Sequence, residues 1–133
     1  MIRAAIIGLG TWGQNLVLSV QGVSPSIRFT AAATRSPDKA RDFAQAQGLR
    51  MLPSYEAALA DPEIDAVVLA TPHSMHTHQI VAAARAGKHV FSEKPLGLDT
   101  ASAQKAAQAC ADHGVTLGVG YNWRYQQALQ EIR

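Results

Sequence analysis

The chain contains a single cysteine in 133 residues, so an internal disulfide is excluded. Charge is also sparse. Charged residues make up 17% of the chain, the net charge is only +2, and the twelve Lys and Arg residues are scattered, which leaves nucleic-acid binding without its electrostatic footprint. No apolar run approaches the roughly 20 residues of a membrane span, and no repeat or low-complexity segment is present. The first residues enter a strand-like run with no basic segment leading to an apolar core and a cleavage site, so the expected location is the cytoplasm. What remains is an ordinary globular composition, 47% hydrophobic, with enough chain for one domain and its core.

That domain is organised around Ala4-Ala5-Ile6-Ile7-Gly8-Leu9-Gly10-Thr11-Trp12-Gly13, an apolar run meeting three glycines spaced G-x-G-x-x-G. With Arg3 to Ile7 a buried strand and Thr11 to Val20 a helix, Gly8 makes the tight turn. Gly10 lets the backbone approach a pyrophosphate, and Gly13 lets helix pack on strand. The helix start then offers N–H groups and a positive dipole end to that anion. Glycine-rich turns are common, so the motif requires a βαβ context.

The context follows in order. Ile27 to Thr34 reads as a second strand, Ser36-Pro37 as a helix start with Gly48 as its stop, and Leu49 to Leu52 as a brief third strand. Ser54 caps a short helix that ends before Asp61-Pro62. Asp65 to Ala70 is the fourth strand, followed by a helix from His73 to Ala86 that Gly87 stops, and His89 to Phe91 is the fifth. Asp99 caps a helix whose stripe is Ala103, Ala106, Ala107 and Cys110, closed by Gly114, and Val115 to Val119 is the sixth strand. On that stripe Cys110 reads as a buried, inert thiol. Alternation of short apolar strands with helices predicts an α/β fold, a doubly wound parallel sheet of Rossmann type in strand order 3-2-1-4-5-6. The glycine loop, Thr34 to Ser36 and Thr71 to His76 then converge at the carboxyl edge, where such sheets bind ligands.

Three constellations carry the chemistry. At the end of the second strand, where an acid normally reads the adenosine ribose, stand Thr34-Arg35-Ser36. A carboxylate would repel a 2′-phosphate, whereas Arg35 offers a bidentate cation and Ser36 a donor, which favours NADP over NAD. The competing reading makes Arg35 a solvated loop charge and Ser36 the cap for Pro37, with Asp38 nearby as a weak substitute acid. His73, His76 and His78 invite a metal, but on one helix His73 and His76 are about 60° apart and His78 about 140° from His73, so no metal is expected. His76 reads instead as a hydrogen-bonding residue in the crevice or as a first-turn surface histidine. Lys94, between Glu93 and Pro95 beyond the fifth strand, could donate to a substrate hydroxyl and exchange a proton, or simply be solvated. A cis Lys94-Pro95 bond is possible at such a turn. Trp123 and Tyr125 could stack on a ligand or cover a contact.

Gly8 to Gly13, Thr71-Pro72-His73-Ser74-Met75-His76, Gly87-Lys88-His89-Val90-Phe91-Ser92-Glu93-Lys94-Pro95 and Gly120-Tyr121-Asn122-Trp123-Arg124 occur in that order. Together they resemble the Gfo/Idh/MocA oxidoreductases, over essentially the whole chain. The resemblance implies NAD(P)-dependent hydride transfer at a hydroxyl-bearing carbon of a sugar, cyclitol or related small molecule. It implies that Gly8, Gly10 and Gly13 with the backbone of Thr11 and Trp12 hold the pyrophosphate, and that Thr34, Arg35 and Ser36 hold the 2′-phosphate end. Thr71, Pro72 and His76 would line the nicotinamide-ribose side. Glu93 and Lys94 would stand at the nicotinamide as the catalytic pair, with Lys94, Asn122 and Arg124 toward substrate. Gln127 departs from a proline often found shortly after that Arg.

The family has a second α/β domain that covers the nicotinamide and forms the oligomer contact. Residues 1–120 therefore read as the nucleotide-binding domain and 121–133 as the start of the connection to a domain absent from this sequence. On that expectation the full-length protein is a homo-oligomer and the fragment by itself is inactive. The rival reading is a non-catalytic dinucleotide-binding or sensor module, which would tolerate Lys94→Ala.

Overall fold

The computed structural model describes residues 1–122. It is a six-stranded, all-parallel sheet in the order β3-β2-β1-β4-β5-β6, as the alternation of elements predicts. The strands are β1 (Ile2–Ile7), β2 (Ile27–Ala33), β3 (Arg50–Met51), β4 (Ala66–Leu69), β5 (His89–Ser92) and β6 (Leu117–Val119). Between them run α1 (Thr11–Val20), α2 (Pro37–Ala46), α3 (Tyr55–Ala60), α4 (His76–Arg85) and α5 (Thr100–Asp112).

Period-two alternation in β1 divides the core. Ala4 and Ile6 face one layer with Val17 of α1 and Ala40 and Ala44 of α2. Ala5 and Ile7 face the other, with Ala58 of α3, Ile80, Ala83 and Ala84 of α4, and Ala106 and Cys110 of α5. Small residues on β2, Ala31 to Ala33, let helices approach both sides closely, so a run poor in β-formers still builds a strand. Tertiary packing overrides intrinsic preference there. Burial of Cys110 pushes its thiol pKa up, which keeps it protonated and unreactive.

One residue interrupts the β1–β2 ladder. Ala4 pairs with Phe29 and Ala5 with Ala31, so Thr30 is an extra residue in β2. Its Oγ1 is buried without a hydrogen-bond partner among the described residues.

Several element boundaries differ from the sequence expectation. The helix predicted from His73 begins instead as a single 3₁₀ turn, His73–Met75, closed by Met75 N–H donating to Pro72 O at 2.9 Å, and α4 proper starts at His76. Proline at 72 restrains the entry, and a tighter turn satisfies the first carbonyl. The last strand begins at Leu117 because Val115 N–H donates back to Cys110 O to close α5. Ala107 is exposed, so the buried stripe of α5 is Ala106 and Cys110 with Ala103 and Ala109 at its margins. Ser36 precedes α2 without capping it through its side chain, whereas Ser54 accepts from Ala57 N–H and Asp99 forms a capping box with Ser102.

The amino edge of the sheet is held by charge. Arg3 donates to Asp65 from its backbone N–H and from its side-chain Nε and Nη2, at 2.8, 3.0 and 2.8 Å, and pairs with Glu63 at 2.7 Å. The buried Lys88 donates from Nζ to Asp61 O and Ile64 O, each at 2.7 Å. Hydrogen bonds from Arg3 hold the Asp65 carboxyl well below the usual carboxylate range. A depressed carboxyl contributes its full stability above its unfolded value near about 4 and loses it as pH falls through the folded one. The melting temperatures of the chain and of Asp65→Asn are therefore expected to differ at neutral pH and to converge as pH drops below about 4. Both side chains are more than a third exposed, so added salt should shrink the difference.

Candidate cofactor site

Gly8 ends β1 at φ +94°, and a Cβ there would stand 2.6 Å from Ala70 O, so only glycine fits where β1 and β4 separate. A Cβ at Gly13 would stand 2.0 Å from Gly8 O, which brings α1 directly against the turn. At Gly10 an added Cβ would meet nothing within 4 Å. The three glycines thus do different things: two close the turn and one leaves open space before it. Gly10 is also the N-cap of α1, whose first turn carries no acid, so its outward N–H groups and dipole favour an anion there.

A cavity of about 610 Å³ opens at this point along the carboxyl edge. Of the residues expected at a cofactor, Gly8, Gly10, Thr34, Arg35, Ser36, Thr71 and Pro72 line it. The cleft is tied together at its base by Gly8 N–H donating to Ala33 O at 2.8 Å, which joins the glycine turn to the end of β2. Thr11 and Trp12 lie exposed at the start of α1 beside the cavity, and Gly13 is buried behind it.

The wall also contains residues that the linear reading did not single out. Lys39 joins Arg35 and Ser36, four residues on from Arg35 at the start of α2, and no Asp or Glu lines the cavity. Asp38 is instead paired with Arg41 at 2.6 Å. Tyr55 and Gln79 close the far side, where Tyr55 Oη donates to Gln79 O at 2.6 Å and Thr71 Oγ1 donates to Gln79 Oε1 at 2.5 Å. Burial, and secondarily Glu56, push the Tyr55 phenol pKa up, which keeps it a neutral donor. Helical spacing from Ser36 was the available signal for Lys39, and the Ser54 cap after β3 that for Tyr55.

His76 is a hydrogen-bonding residue, in line with one of its two readings, but lies beneath the crevice and not in it, and it is not a surface histidine. Its ring is fully buried and does not line the cavity, with Nδ1 2.7 Å from Pro95 O and Nε2 3.0 Å from Thr71 O. Both nitrogens face carbonyls, and the nearby His73 ring meets it edge-on at 5.7 Å, so these two histidines do not converge on an ion. His78 is exposed on the outer side of α4.

Beyond β5, Glu93 N–H donates to Leu69 O at 2.9 Å, and its carboxylate lies against Gly120, where a Cβ would stand 2.8 Å from Oε1. Lys94 is exposed and, among the described residues, makes no hydrogen bond or ion pair through its side chain. The Lys94–Pro95 peptide is cis. Asn122 is exposed just past β6, while Trp123, Arg124, Tyr125 and Gln127 lie outside the described residues.

A glycine turn at a helix start, a parallel sheet that switches direction there and a cleft spanning both halves define a dinucleotide-binding α/β domain. Comparison with known proteins agrees: the model of an oxidoreductase family with an NAD-binding Rossmann fold matches residues 2–121. The chain belongs to the Gfo/Idh/MocA oxidoreductase family. It is 33% identical to the scyllo-inositol 2-dehydrogenase (NAD(+)) of Bacillus subtilis, a match covering 99% of this chain and 39% of that protein. Among solved structures, the 3-ketoreductase KijD10 of Actinomadura kijaniata, in complex with TDP-benzene and NADP, superimposes with a TM-score of 0.90 at 29% identity, covering 98% of this chain and 42% of that one. The scyllo-inositol dehydrogenase of Lactobacillus casei, with bound NAD(H) and scyllo-inositol, gives 0.91 at 28% identity, covering 99% and 39%. The chain thus spans about two fifths of the length of these relatives. Among the described residues no helix is long and apolar enough to cross a membrane.

Proposed function

We propose that this chain is the cofactor-binding part of an NADP-preferring oxidoreductase that moves a hydride at a hydroxyl-bearing carbon of a sugar, cyclitol or related small molecule. The observation that carries the reading is the cleft itself. Gly10 leaves room for a pyrophosphate at the start of α1, and Arg35, Ser36 and Lys39 share the wall where the adenosine ribose would lie. Two cations and a hydroxyl without an acid suit a 2′-phosphate, which a carboxylate there would repel.

When bound, the nicotinamide cofactor supplies or accepts the hydride. The residues of this chain do the rest from fixed positions. The glycine turn and the first amides of α1 hold the phosphates, while Thr71 and Pro72 border the cleft toward β4. Lys94, exposed one strand over, would donate to a substrate oxygen and carry its proton, with Glu93 beside it in sequence. Asn122 is exposed at the same edge of the sheet, and by the family resemblance it and Arg124 would act toward substrate. Whole relatives bind small molecules, and a homo-oligomer is the proposed assembly of the full-length protein.

NADPH added to the chain is expected to show saturable fluorescence enhancement, displaced by NADP at lower concentration than by NAD. A flat titration, or equal displacement by the two, counts against this reading.

A further inference from the structure

His76 sits where two separate parts of the carboxyl edge meet. Thr71 follows β4 and lines the cleft, and Pro95 follows β5 next to Lys94. Among the described residues, the His76 ring is the side chain that bonds to both, with its two nitrogens at hydrogen-bond distance from the two backbone carbonyls. We propose that His76 is a positioning residue, a buried clamp that sets the Thr71 wall of the cleft and the Lys94 loop relative to each other.

Three observations support the clamp. The ring is fully enclosed and lies outside the cavity lining, so it acts through the wall and not on a ligand. Each of the two loops is also pinned on its other side, and past the end of the β4–β5 ladder, where Glu93 N–H meets Leu69 O, the His76 ring links them. Thr71 Oγ1 donates to the buried Gln79, and beyond Pro95 the chain presses so closely on α5 that a Cβ at Gly97 would stand 2.6 Å from Ala103 N. The ring chemistry suits the task as well. Carbonyls only accept, so a ring with one N–H serves one carbonyl at a time and a ring with two serves both. A flat aromatic ring with two separate nitrogens reaches two backbone segments without needing side chains from either. The bend at the 3₁₀ turn lets α4 begin at His76, with that residue on its inner face.

The importance of the clamp to cofactor and substrate rests on the cofactor-domain reading, but its existence does not. Amide hydrogen exchange tests it without any ligand. Two probes report the loops: Met75 N–H, bonded to Pro72 O, and Glu93 N–H, bonded to Leu69 O. Gly8 N–H, bonded to Ala33 O, reports the core between β1 and β2. His76→Leu removes both ring nitrogens and is expected to speed exchange at Met75 and Glu93 together by tenfold or more, with Gly8 unchanged. His76→Gln, which restores N–H donors at similar reach, is expected to return both toward the parent rates and stays informative should the leucine variant not fold.

Acceleration at only one loop, acceleration of all three amides equally, or identical behaviour of the two variants overturns the clamp. NADPH affinity is measured alongside, with His76→Leu expected to weaken it about tenfold and His76→Gln to recover most of that loss. An unmodified chain that fails to bind NADPH overturns the cofactor-domain reading and leaves the exchange result to decide the clamp.

Discussion

Gly13→Ala is expected to lower the melting temperature by about 10 °C or more, while Gly10→Ala leaves it unchanged or slightly raised and weakens NADPH binding about tenfold or more. The contrast follows from what a methyl group meets. At Gly13 it would stand 2.0 Å from Gly8 O, and neither partner can step aside, because α1 and the turn after β1 are both packed backbone. Forcing them apart costs about 3 kcal/mol or more, a large share of the roughly 5–15 kcal/mol that holds a domain together.

At Gly10 the backbone is extended, at φ −76° and ψ −172°, a conformation that alanine adopts freely. Losing unfolded-state freedom there can add about 0.4–1 kcal/mol of stability. The same methyl projects into open space at the helix start, where a pyrophosphate must come close to backbone N–H groups. Thermal melts and an NADPH titration on both variants separate the two roles. Equal melting temperatures would show that the packing of α1 against the turn is looser than these contacts require.

Arg35→Ala is expected to weaken NADP binding about tenfold to a hundredfold, the effect of losing one charge-assisted contact of about 1.5–3 kcal/mol, and to leave NAD nearly unchanged. Lys39→Ala should act in the same direction by less, since a flexible ammonium makes a point contact where a guanidinium makes a forked one. For the same reason Arg35→Lys should recover only part of the loss. Competition against NADPH at two salt concentrations measures all three, with NADP affinity the more salt-sensitive. Equal losses for NADP and NAD in Arg35→Ala would move Arg35 from the 2′-phosphate to a contact shared by both nucleotides, or to the solvated loop charge that the sequence also allows.

The features legible in the sequence share a physical basis: each is a local signal repeated by its neighbours. Six short apolar runs, the stops at Gly48, Gly87 and Gly114, and the caps at Ser54 and Asp99 all act within a few residues, so strand order and helix placement followed. Positions that depend on rotation about a helix axis were less legible. Ala107 fits an apolar stripe by composition, but alanine is as content in water as in a core, and it faces out. His76 was ambiguous because the 3₁₀ turn before it changes the helical phase that a continuous helix from His73 would have.

In the candidate site, the glycines, Arg35, Ser36, Thr71 and Pro72 could be brought to one edge by topology alone. Lys39 could not, because a lysine in a polar helix turn looks the same whether or not a cleft lies in front of it. The lysines at 88 and 94 divide similarly. One is buried and bonded to two carbonyls at the amino edge, the other exposed at the carboxyl edge, and only the fold tells the structural one from the one free to meet a ligand.

The extra residue in β2 bears on how this site could change over generations of sequence. Phe29 and Ala32 face one layer while Ala31 and Ala33 face the other, so Phe29 and Ala31, two apart in sequence, stand on opposite faces because Thr30 is bulged between them. Deleting Thr30 would join Phe29 to Ala31 in regular alternation and leave the remainder of β2, and the delivery of Arg35, as they are. Drawing Thr30 into a regular ladder with Phe29 kept in its core would instead turn that remainder over. The bulge is therefore a spare residue in the strand that leads to the cleft. Substitution at the cleft changes contacts there by degrees, and a one-residue deletion in β2 can be absorbed at Thr30 with the path of the chain into the cleft left intact.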